Sequence, residues 1–420
     1  MSVAGVALLA IPIVEWVRFS YFDLLWPDVL LLAGRLASLL GFVLLFIQFV
    51  LSSRIRVFES SIGLDRLIAF HRLVGISVLG LFLFHPIALT AFELFLGYVS
   101  LTAGKLLGIA TIILLVTTAG VALMWKACRW RYETWKRIHY VNYAVLPIGL
   151  LHATRIGSTV NSSVVLNVYY YTLVGLYLVI VAVKVIRRAA VHRTPYTVAH
   201  VERENHDITS IYLDGPPLVH LAGQFLMINV AKERGYSESH PYTISSSPFD
   251  PQIRISAKAI GDFSAGLRDT RVGARALVEA PYGAFSYNRV VGEPLVFVAG
   301  GIGITPFLSQ LGALRATGDA TSVTLLWGNK AREDIAFAGE LAAFERELAG
   351  FRVVHVLSDE RWDGECGFVD AALIRKYVQE IDEAEFFLCG PPAMMDAVRG
   401  SLGELGVPRP RIHFERFSLG

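Results

Sequence analysis

The first 190 residues of the chain carry long apolar runs of the kind that cross membranes. Six runs can be distinguished, near residues 3–17, 28–51, 67–92, 104–126, 134–154 and 165–186. A membrane-spanning helix needs about 20 mostly apolar residues. The first run is short and contains Pro12 and Glu15, and the fifth is more polar than the others. The pattern predicts a six-helix transmembrane bundle over residues 1–190.

The hydrophobic pattern changes twice after the last of these runs. Short alternating stretches such as YTVAHVE, ITSIYL and QFLMINV, broken by Gly and Pro, predict the strands of a β-barrel or sandwich over residues 194–290. Over residues 291–420, strand-like stretches alternate with helical segments, which predicts a parallel sheet covered by helices. The expected order is therefore a transmembrane bundle, a β-barrel domain and an α/β domain.

The composition suits a chain that lies partly in lipid and partly in water. Hydrophobic residues make up 54% and charged residues 18%, whereas soluble domains average roughly 45–50% and about 25%. The net charge is +2 with no basic block, which argues against nucleic acid as a partner. The three cysteines form no C-x-x-C pair, so zinc ribbons, iron–sulfur clusters and covalently attached haem lack ligands.

Basic residues are concentrated in every second loop between the predicted spans. The loops after the second, fourth and sixth spans are rich in them: Arg54, Arg56, Arg66, Arg72, Lys126, Arg129, Arg131, Lys136, Arg137, Lys184, Arg187, Arg188 and Arg193. The loops near 93–104 and 155–164 hold Glu93 and Arg155 as their full charges. Cytosolic loops carry the excess of Lys and Arg, so both termini and everything after residue 190 are predicted to be cytosolic.

Four histidines lie inside the predicted spans, where ionisable side chains indicate function by default. His71 and His85 are 14 residues apart on the third span, and His139 and His152 are 13 apart on the fifth. Both spacings are expected to return to one helix face after about four turns, roughly 20 Å along the axis. The two spans run in the same direction, so His71 pairs with His139 and His85 with His152. This predicts two haems, each ligated by two imidazoles; the alternative is four separate polar residues, each hydrogen-bonded within the bundle.

Arg35 lies inside the second span, towards its outer end. A charge at that depth needs a partner, and an outer haem propionate or an anionic acceptor would supply one. The alternative is an arginine that extends its side chain to the membrane surface.

The segment HPYTISSSP, residues 240–248, places an aromatic ring, a threonine and several serines at the end of a strand. A flavin needs this mixture, because a ring packs beside the isoalloxazine and hydroxyls serve its N5 edge and its phosphates. Ser245 and Ser246 are the candidate serines. Such a segment, taken alone, could also be an ordinary serine-rich turn.

A further candidate phosphate-binding turn follows in KAIGDFSAGL, residues 258–267. Gly261 opens this turn, and Ser264 is expected at a helix N-terminus, where backbone N–H groups bind phosphate. We take Lys258, Gly261 and Ser264 as candidate cofactor-binding residues.

In VFVAGGIGITPFLSQL a hydrophobic strand runs into Gly300, Gly301 and Gly303, and a helix follows from Thr305 and Pro306. Glycines let the backbone approach a pyrophosphate, and the start of the helix binds its charge. This order of strand, glycines and helix predicts a dinucleotide-binding turn.

Two later segments bear on the nicotinamide nucleotide. FFLCGPPAMM, residues 386–395, is a strand that ends in Cys-Gly-Pro-Pro, and Cys389 could touch the nicotinamide edge or could be a small buried apolar residue. GNKARED, residues 328–334, follows the second strand of the nucleotide domain. Lys330 or Arg332 could meet a 2′-phosphate there, which favours NADPH over NADH, or both could be solvated surface charges.

HPYTISSSP, GGIGITP, LCGPP and the terminal FERFSLG, in this order and spacing, resemble the ferredoxin–NADP reductase-like dehydrogenase. Joined to six spans with paired histidines, they make the chain similar to the NADPH oxidase and ferric reductase family. The likeness runs from about residue 28 to residue 420 and is greatest to the minimal bacterial form, which carries no calcium-binding or other regulatory domain.

The resemblance implies FAD, two b-type haems and NADPH or NADH as cofactors. The positions that match the family's haem, flavin and nucleotide motifs are His71, His85, His139, His152, His240, Pro241, Tyr242, Thr243, Gly300, Gly301, Gly303, Thr305, Pro306, Cys389, Gly390 and Pro391. Phe417 matches the C-terminal aromatic residue that covers the flavin ring where nicotinamide must enter. Arg35 resembles an arginine near the outer haem of the animal oxidases. Those oxidases also carry a histidine at the position of Leu89, so the acceptor is left open.

We therefore expect an NAD(P)H oxidoreductase in the plasma or inner membrane of a prokaryote, with its dehydrogenase half in the cytosol. Electrons would pass through FAD and two haems to an external acceptor, dioxygen ahead of a ferric chelate or a protein, with no obligatory protein partner. Two alternatives predict no haem: a flavin reductase for which the spans are an anchor, and a transporter with a redox-sensing half.

Overall fold

A computed structural model of the chain describes residues 3–20, 28–53, 64–125, 127–128, 130, 132–233, 235–290 and 294–415. The chain divides into two compact units, and the main division falls between Arg187 and Arg188. Phe417, predicted to cover the flavin ring, lies outside the described residues. So do five of the basic loop residues on which the predicted orientation rests: Arg54, Arg56, Lys126, Arg129 and Arg131.

The N-terminal unit is helical. Its helices are α1 (Val3–Phe19), α2 (Asp28–Ser52), α3 (Leu64–Phe95), α4 (Ala103–Met124), α5 (Tyr132–His139), α6 (Val145–Ile156), α7 (Ser158–Ser162) and α8 (Val164–Arg193), the last of which extends into the second unit. A 3₁₀ segment, Tyr140–Ala144, joins α5 directly to α6. Four of the described helices, α2, α3, α4 and α8, are long and apolar enough to cross a membrane. The prediction of six spans stays a prediction, because α1 has 17 residues and the fifth predicted span is divided at the 3₁₀ segment.

The helical core forms where α2, α6 and α8 pack together. The rings of Phe42 and Tyr170 stack with centroids 4.5 Å apart, and the Tyr170 hydroxyl donates to the main-chain oxygen of Leu39 at 3.0 Å. On α3 and α4, by contrast, apolar side chains such as Ile76 and Ile113 are 68% and 58% exposed. A large exposed apolar surface is unusual in water, and it suits helices that face lipid.

The second unit begins with an antiparallel sheet. Its strands are β1 (Tyr196–Arg203), β2 (Ile208–Asp214), β3 (Phe225–Val230), β4 (His240–Thr243), β5 (Ile253–Lys258) and β6 (Arg275–Tyr282), with the short helix α9 (Asp262–Gly266) after β5. The order in the sheet is β4-β3-β6-β1-β2-β5. An isolated bridge joins Ile244, just after one edge strand, to Ile255 in the other. The sheet is as predicted for this region, and its full closure into a barrel stays a prediction.

A parallel sheet flanked by helices completes the unit. Its elements are β7 (Leu295–Gly300), α10 (Thr305–Thr317), β8 (Val323–Asn329), α11 (Ala338–Glu347), β9 (Phe351–Leu357), β10 (Glu365–Cys366), α12 (Ala371–Tyr377), β11 (Glu385–Cys389), α13 (Pro392–Glu404) and β12 (Ile412–Glu415). The strand order β10-β9-β8-β7-β11-β12 confirms the predicted parallel sheet. The order reverses between β7 and β11, and ligands bind such sheets at the carboxyl ends of the strands beside this switch point.

Candidate haem, flavin and nucleotide sites

The four histidines of the helical unit lie in two pairs. The ring centroids of His71 and His139 are 6.2 Å apart, and those of His85 and His152 are also 6.2 Å apart. An imidazole nitrogen lies about 2 Å from a metal ion that it binds, so two rings that ligate one ion from opposite sides have centroids about 6 Å apart. Each pair therefore has the spacing that suits one iron between its rings.

The 3₁₀ segment between α5 and α6 explains how unequal sequence spacings give matching pairs. Fourteen α-helical steps from His71 to His85 turn the chain by about 1,400°. Of the 13 steps from His139 to His152, five run through Tyr140–Ala144, and at about 120° per 3₁₀ step the total is again about 1,400°. A plain α-helix would leave His152 about 100° from this face. The expectation that 13 α-helical residues return to the same face was wrong, and the 3₁₀ segment supplies the missing rotation.

Main-chain carbonyls orient the outer pair. Nδ1 of His85 lies 2.9 Å from the Gly34 oxygen, and Nδ1 of His152 lies 2.8 Å from the Gly104 oxygen. An Nδ1–H that donates to a carbonyl fixes the ring plane and leaves Nε2 as the metal-binding atom. Gly108 packs against the His152 ring, since a Cβ on Gly108 would lie 2.6 Å from Cε1 of that ring. Sequence reasoning missed all three glycines.

Aromatic stacking and an amide orient His139 of the inner pair. The Trp135 ring stacks on His139 with centroids 5.4 Å apart and an interplanar angle of 25°. The Asn142 amide lies 3.4 Å from Nδ1 of His139 and accepts a hydrogen bond from the Thr118 hydroxyl at 2.8 Å. These neighbours hold the His139 ring, and nothing in the hydrophobic pattern of the sequence marks them.

A cavity of about 410 Å³ opens beside the outer pair. Its lining includes His85, His152 and Arg35, together with the ion pair in which Nζ of Lys105 lies 2.5 Å from the Glu93 carboxylate. Cofactor sites commonly enclose about 300–1,000 Å³. Two imidazoles, apolar walls and the Arg35 guanidinium fit a haem, because the imidazoles suit the iron and the guanidinium suits a propionate.

The flavin-motif residues lie on β4 and in the turn that follows it. The His240 ring stacks on Phe263 with centroids 4.0 Å apart. Burial raises the pKa of Tyr242 to about 12, so its hydroxyl stays neutral and able to donate. Pro241 and Thr243 occupy the neighbouring positions of the strand, and the Thr243 side chain is buried. Phe263 was not singled out in the sequence, because its contact with the motif depends on the fold.

Ser245 and Ser246 are buried and bonded within the protein. The Ser245 hydroxyl lies 3.0 Å from that of Ser256, and the Ser246 hydroxyl accepts the N–H of Arg254 at 2.9 Å. Arg254 in turn donates to both carboxylate oxygens of Glu340, at 2.8 and 3.0 Å. These bonds tie the antiparallel sheet to the first turn of α11. Contact of either serine with FAD stays a prediction.

The second predicted phosphate turn is also engaged locally. The Ser264 hydroxyl accepts the N–H groups of Ile260 and Gly261, both at 3.0 Å, and so caps α9. Nζ of Lys258 lies 2.9 Å from the Asp207 carboxylate. Gly261 is the N-cap residue of α9. The role of these residues in phosphate binding stays a prediction.

The glycine turns after β7 and β11 pack against each other beside the switch point. A Cβ on Gly303 would lie 2.2 Å from the main-chain oxygen of Cys389, and one on Gly390 would lie 3.0 Å from the nitrogen of Gly300. Gly301 has φ of +51°, a conformation that favours glycine. The two predicted halves of the nucleotide motif thus form one backbone surface, as a bound pyrophosphate would require.

The remaining nucleotide-motif residues begin helices or lie beneath the turn. Thr305 and Pro306 start α10, where the Thr305 hydroxyl donates to the Ile302 oxygen at 3.1 Å, and Pro391 is the N-cap of α13. The Cys389 thiol is fully buried, and burial raises its pKa well above the usual value. The thiol is therefore protonated, and its contact with nicotinamide stays a prediction.

Lys330 and Arg332 lie in the loop that follows β8, as expected for a nucleotide-binding position. Lys330 is exposed. The Arg332 guanidinium lies 3.1 Å from the Asp363 carboxylate and 5.5 Å above the Trp362 ring.

Three family models match successive parts of the chain. Residues 37–150 match the ferric reductase like transmembrane component, residues 193–286 an FAD-binding domain, and residues 297–400 the oxidoreductase NAD-binding domain. The chain therefore carries a ferric reductase-like helical region followed by flavin-binding and NAD-binding oxidoreductase domains.

Individual relatives match parts of the chain. NADH-cytochrome b5 reductase 1 of Pyricularia oryzae is 34% identical over 177 residues, which cover 41% of this chain and 57% of that protein. Flavohemoprotein A of Dictyostelium discoideum is 29% identical over 235 residues, 51% of this chain and 57% of that protein. The chain thus spans little more than half the length of these relatives. The structure of flavohemoglobin from Malassezia yamatoensis, with bound FAD and heme, is similar in fold, at 18% identity and a TM-score of 0.52 over 93% of this chain and 97% of that one.

Proposed function

We propose that this chain, which has the domain architecture of the NADPH oxidase and ferric reductase family, carries electrons from cytosolic NAD(P)H to an acceptor across the membrane. The proposed acceptor is dioxygen, reduced to superoxide, and a ferric chelate is the alternative. The proposal rests on the two pairs of histidine rings in the helical unit, each with ring centroids 6.2 Å apart.

His71 and His139 would hold an inner haem, and His85 and His152 an outer haem. When bound, FAD would accept a hydride from the nucleotide and release its two electrons one at a time to the haems, which each carry one. The chain's own residues bind, orient and insulate these groups. The Gly34 and Gly104 carbonyls fix the outer rings, as described above, and no side chain of either pair needs to donate or accept a proton during transfer.

We extend the four candidate spans to six, with α1 as the first and α5, the 3₁₀ segment and α6 together as the fifth. The buried carboxylate of Glu15 on α1 accepts a hydrogen bond from the Ser163 hydroxyl at 2.5 Å, so it is not left unpaired within the helical unit. Trp16 donates to the Leu32 oxygen at 2.9 Å. In the proposed topology both termini and the dehydrogenase half lie in the cytosol of a prokaryote.

The proposed outer haem would lie in the outer cavity with a propionate against Arg35, and the remaining walls of that cavity favour a small neutral acceptor at the haem edge. Nζ of Lys105 lies within 2.6 Å of both Glu93 carboxylate oxygens and donates to the Ser100 oxygen at 2.7 Å, so its charge is compensated. Much of the cavity wall is apolar, with Leu39 and Phe42 among its residues. Transfer of a charged chelate into apolar surroundings is costly, whereas dioxygen carries no charge. This supports dioxygen over a ferric chelate.

Anaerobic visible spectroscopy of the full chain in detergent tests the proposal. We expect two b-type haems per chain that become reduced when NADH or NADPH is added, and only when FAD is present. His85→Leu should leave one haem per chain that is still reduced by nucleotide. The matched control, His200→Leu at an exposed histidine of β1, should retain two.

A folded protein without haem absorbance would contradict the proposal and leave the anchored reductase or the redox-sensing transporter. The two acceptors are then distinguished by adding either oxygen, or Fe(III)–EDTA under argon, to the reduced protein. Rapid reoxidation by oxygen with formation of superoxide supports the oxidase, and faster reoxidation by the chelate supports the ferric reductase.

A further inference from the structure

Two loops of the parallel sheet lie where the adenosine ribose of a bound nucleotide would rest. In sheets of this kind the pyrophosphate lies at the glycine turn after the first strand, and the ribose of the adenosine lies at the end of the next strand. Here the next strand is β8, which ends at Asn329, and its neighbour β9 ends at Leu357. We call residues 330–334 and 358–363, which follow these strands, the ribose wall.

Hydrogen bonds join the two loops of the ribose wall into one surface. The N–H of Ser358 donates to the oxygen of Asn329 at 3.0 Å, and the N–H of Asp359 donates to the oxygen of Lys330 at 2.9 Å. The carboxylates of the second loop are thereby held against the end of β8.

Carboxylates of the chain already occupy two main-chain donors of the first loop. The N–H of Ala331 donates to Asp334 at 3.1 Å, and the N–H of Arg332 donates to Glu360 at 2.7 Å. Main-chain N–H groups in such turns are the donors that otherwise bind phosphate. A 2′-phosphate would have to displace Glu360 to reach the N–H of Arg332.

The side-chain charges of the ribose wall are also unfavourable for a phosphate. The Arg332 guanidinium already faces the Asp363 carboxylate at 3.1 Å. Both members of this pair are exposed and their attraction is weak. The Asp363 carboxylate nevertheless offsets the positive charge of Arg332 that would otherwise attract a 2′-phosphate. The wall carries five carboxylates against three cations: Glu333, Asp334, Asp359, Glu360 and Asp363 against Lys330, Arg332 and Arg361.

We propose that the chain selects NADH over NADPH, and that Glu360 is the residue that sets this preference. A carboxylate beside the end of the second strand accepts a hydrogen bond from a ribose 2′-hydroxyl, whereas a 2′-phosphate needs an available arginine. Glu360 follows β9, the third strand, and its hydrogen bond from the N–H of Arg332 holds it beside the end of β8. The preference for NADPH suggested by Lys330 and Arg332 in the sequence is thus reversed by the carboxylates that the fold brings beside them. The inference rests on the proposed function, since it names the electron donor of that same site.

Stopped-flow reduction of the flavin in the full chain under argon tests the inference. We expect kcat/KM for flavin reduction to be at least tenfold higher with NADH than with NADPH, which corresponds to about 1.4 kcal/mol. Glu360→Gln keeps an oxygen that can accept the N–H of Arg332 but removes the charge, so the NADH preference should fall about tenfold. The control Glu347→Gln changes an exposed glutamate of α11 that faces Arg315 at 3.4 Å, and it should leave the preference unchanged.

Equilibrium binding of nucleotide fragments gives a second measure of the nucleotide preference, one that does not depend on turnover. Adenosine 5′-monophosphate should bind the wild-type chain more tightly than adenosine 2′,5′-bisphosphate, and Glu360→Gln should remove the difference. Equal or better use of NADPH by the wild type, or a preference that survives Glu360→Gln, would overturn the inference. Flavin reduction by NADH without subsequent haem reduction would instead overturn the proposed function and leave the specificity standing. Flavin reduction by neither nucleotide would overturn both.

Discussion

Replacing Gly108 with alanine should remove the outer haem and leave the inner one in place. Gly108 lies on α4 against the imidazole of His152, where an added Cβ would be 2.6 Å from Cε1 and 2.8 Å from Nδ1. Favourable contacts between carbon atoms lie at about 3.5–4.0 Å. The ring would therefore have to move by about 1 Å.

The position of that ring leaves little room for such a shift. Its Nδ1 lies 2.8 Å from the Gly104 oxygen, and a metal–ligand bond tolerates a deviation of about 0.2 Å. A movement of about 1 Å is several times larger than that tolerance. The helix itself should not suffer, because alanine is favoured over glycine in a helix by up to about 1 kcal/mol. The effect should therefore fall on His152 and not on the stability of α4.

Haem content per chain, measured by the pyridine haemochromogen spectrum, is the direct assay. We expect Gly108→Ala to lower it from two to one, with loss of acceptor reduction while the remaining haem is still reduced by nucleotide. Gly120→Ala is the matched control on the same helix, because an added Cβ there meets no described heavy atom within 4 Å. Two haems with an unchanged spectrum in Gly108→Ala would refute His152 as a ligand in this geometry.

Two further substitutions test the second unit. Glu340→Ala removes the carboxylate that pairs with the buried Arg254 guanidinium, which keeps its hydrogen bonds to Ser245. We expect the free energy of unfolding, followed by flavin release on heating or in denaturant, to fall by about 3 kcal/mol. A change below about 0.5 kcal/mol would contradict this. Gly303→Ala places a Cβ 2.2 Å from a neighbouring main-chain oxygen, and we expect flavin reduction by nucleotide to slow at least tenfold while FAD stays bound. Gly339→Ala, where no described heavy atom lies within 4 Å of the added Cβ, should change neither measurement, and wild-type rates in Gly303→Ala would argue against nucleotide binding at this turn.

The long helices and the two sheets follow from local sequence patterns. An uninterrupted apolar run is sufficient to predict α2, α3, α4 and α8, because lipid imposes both the length and the composition of a span. Alternation and glycine placement likewise predict the order of the strands along the chain. The division of the fifth run could not be predicted in this way, since a 3₁₀ segment and an α-helix of the same composition have the same hydrophobicity.

The residues that orient the predicted ligands depend on contacts between distant parts of the chain. The carbonyls of Gly34 and Gly104 lie 51 and 48 residues from the histidines that they face. Glycine is common in transmembrane helices, so neither glycine stands out in the sequence. Arg254 and Glu340 are 86 residues apart. A single charged residue in a sequence normally predicts a solvent-exposed side chain, so neither residue indicates the buried ion pair. The sequence predicted which histidines pair, whereas the residues that orient them could be identified only in the structure.

The segment Tyr140–Ala144 shows how the paired sites constrain local geometry. Two haem sites shared by two helices, as proposed, would require the rotation and the rise between ligands to match on both helices. Fourteen α-helical steps rise about 21 Å, and eight α-helical steps with five 3₁₀ steps rise about 22 Å, while the rotations agree as described above. The spacing from His139 to His152 is one residue shorter than that from His71 to His85, and the 3₁₀ segment makes up both the rotation and the rise that this residue would have supplied. A 14-residue spacing at this position would need a plain α-helix, so spacing and helix type must change together. The 3₁₀ segment thus has the rotation and the rise that two haem sites shared by these helices would need.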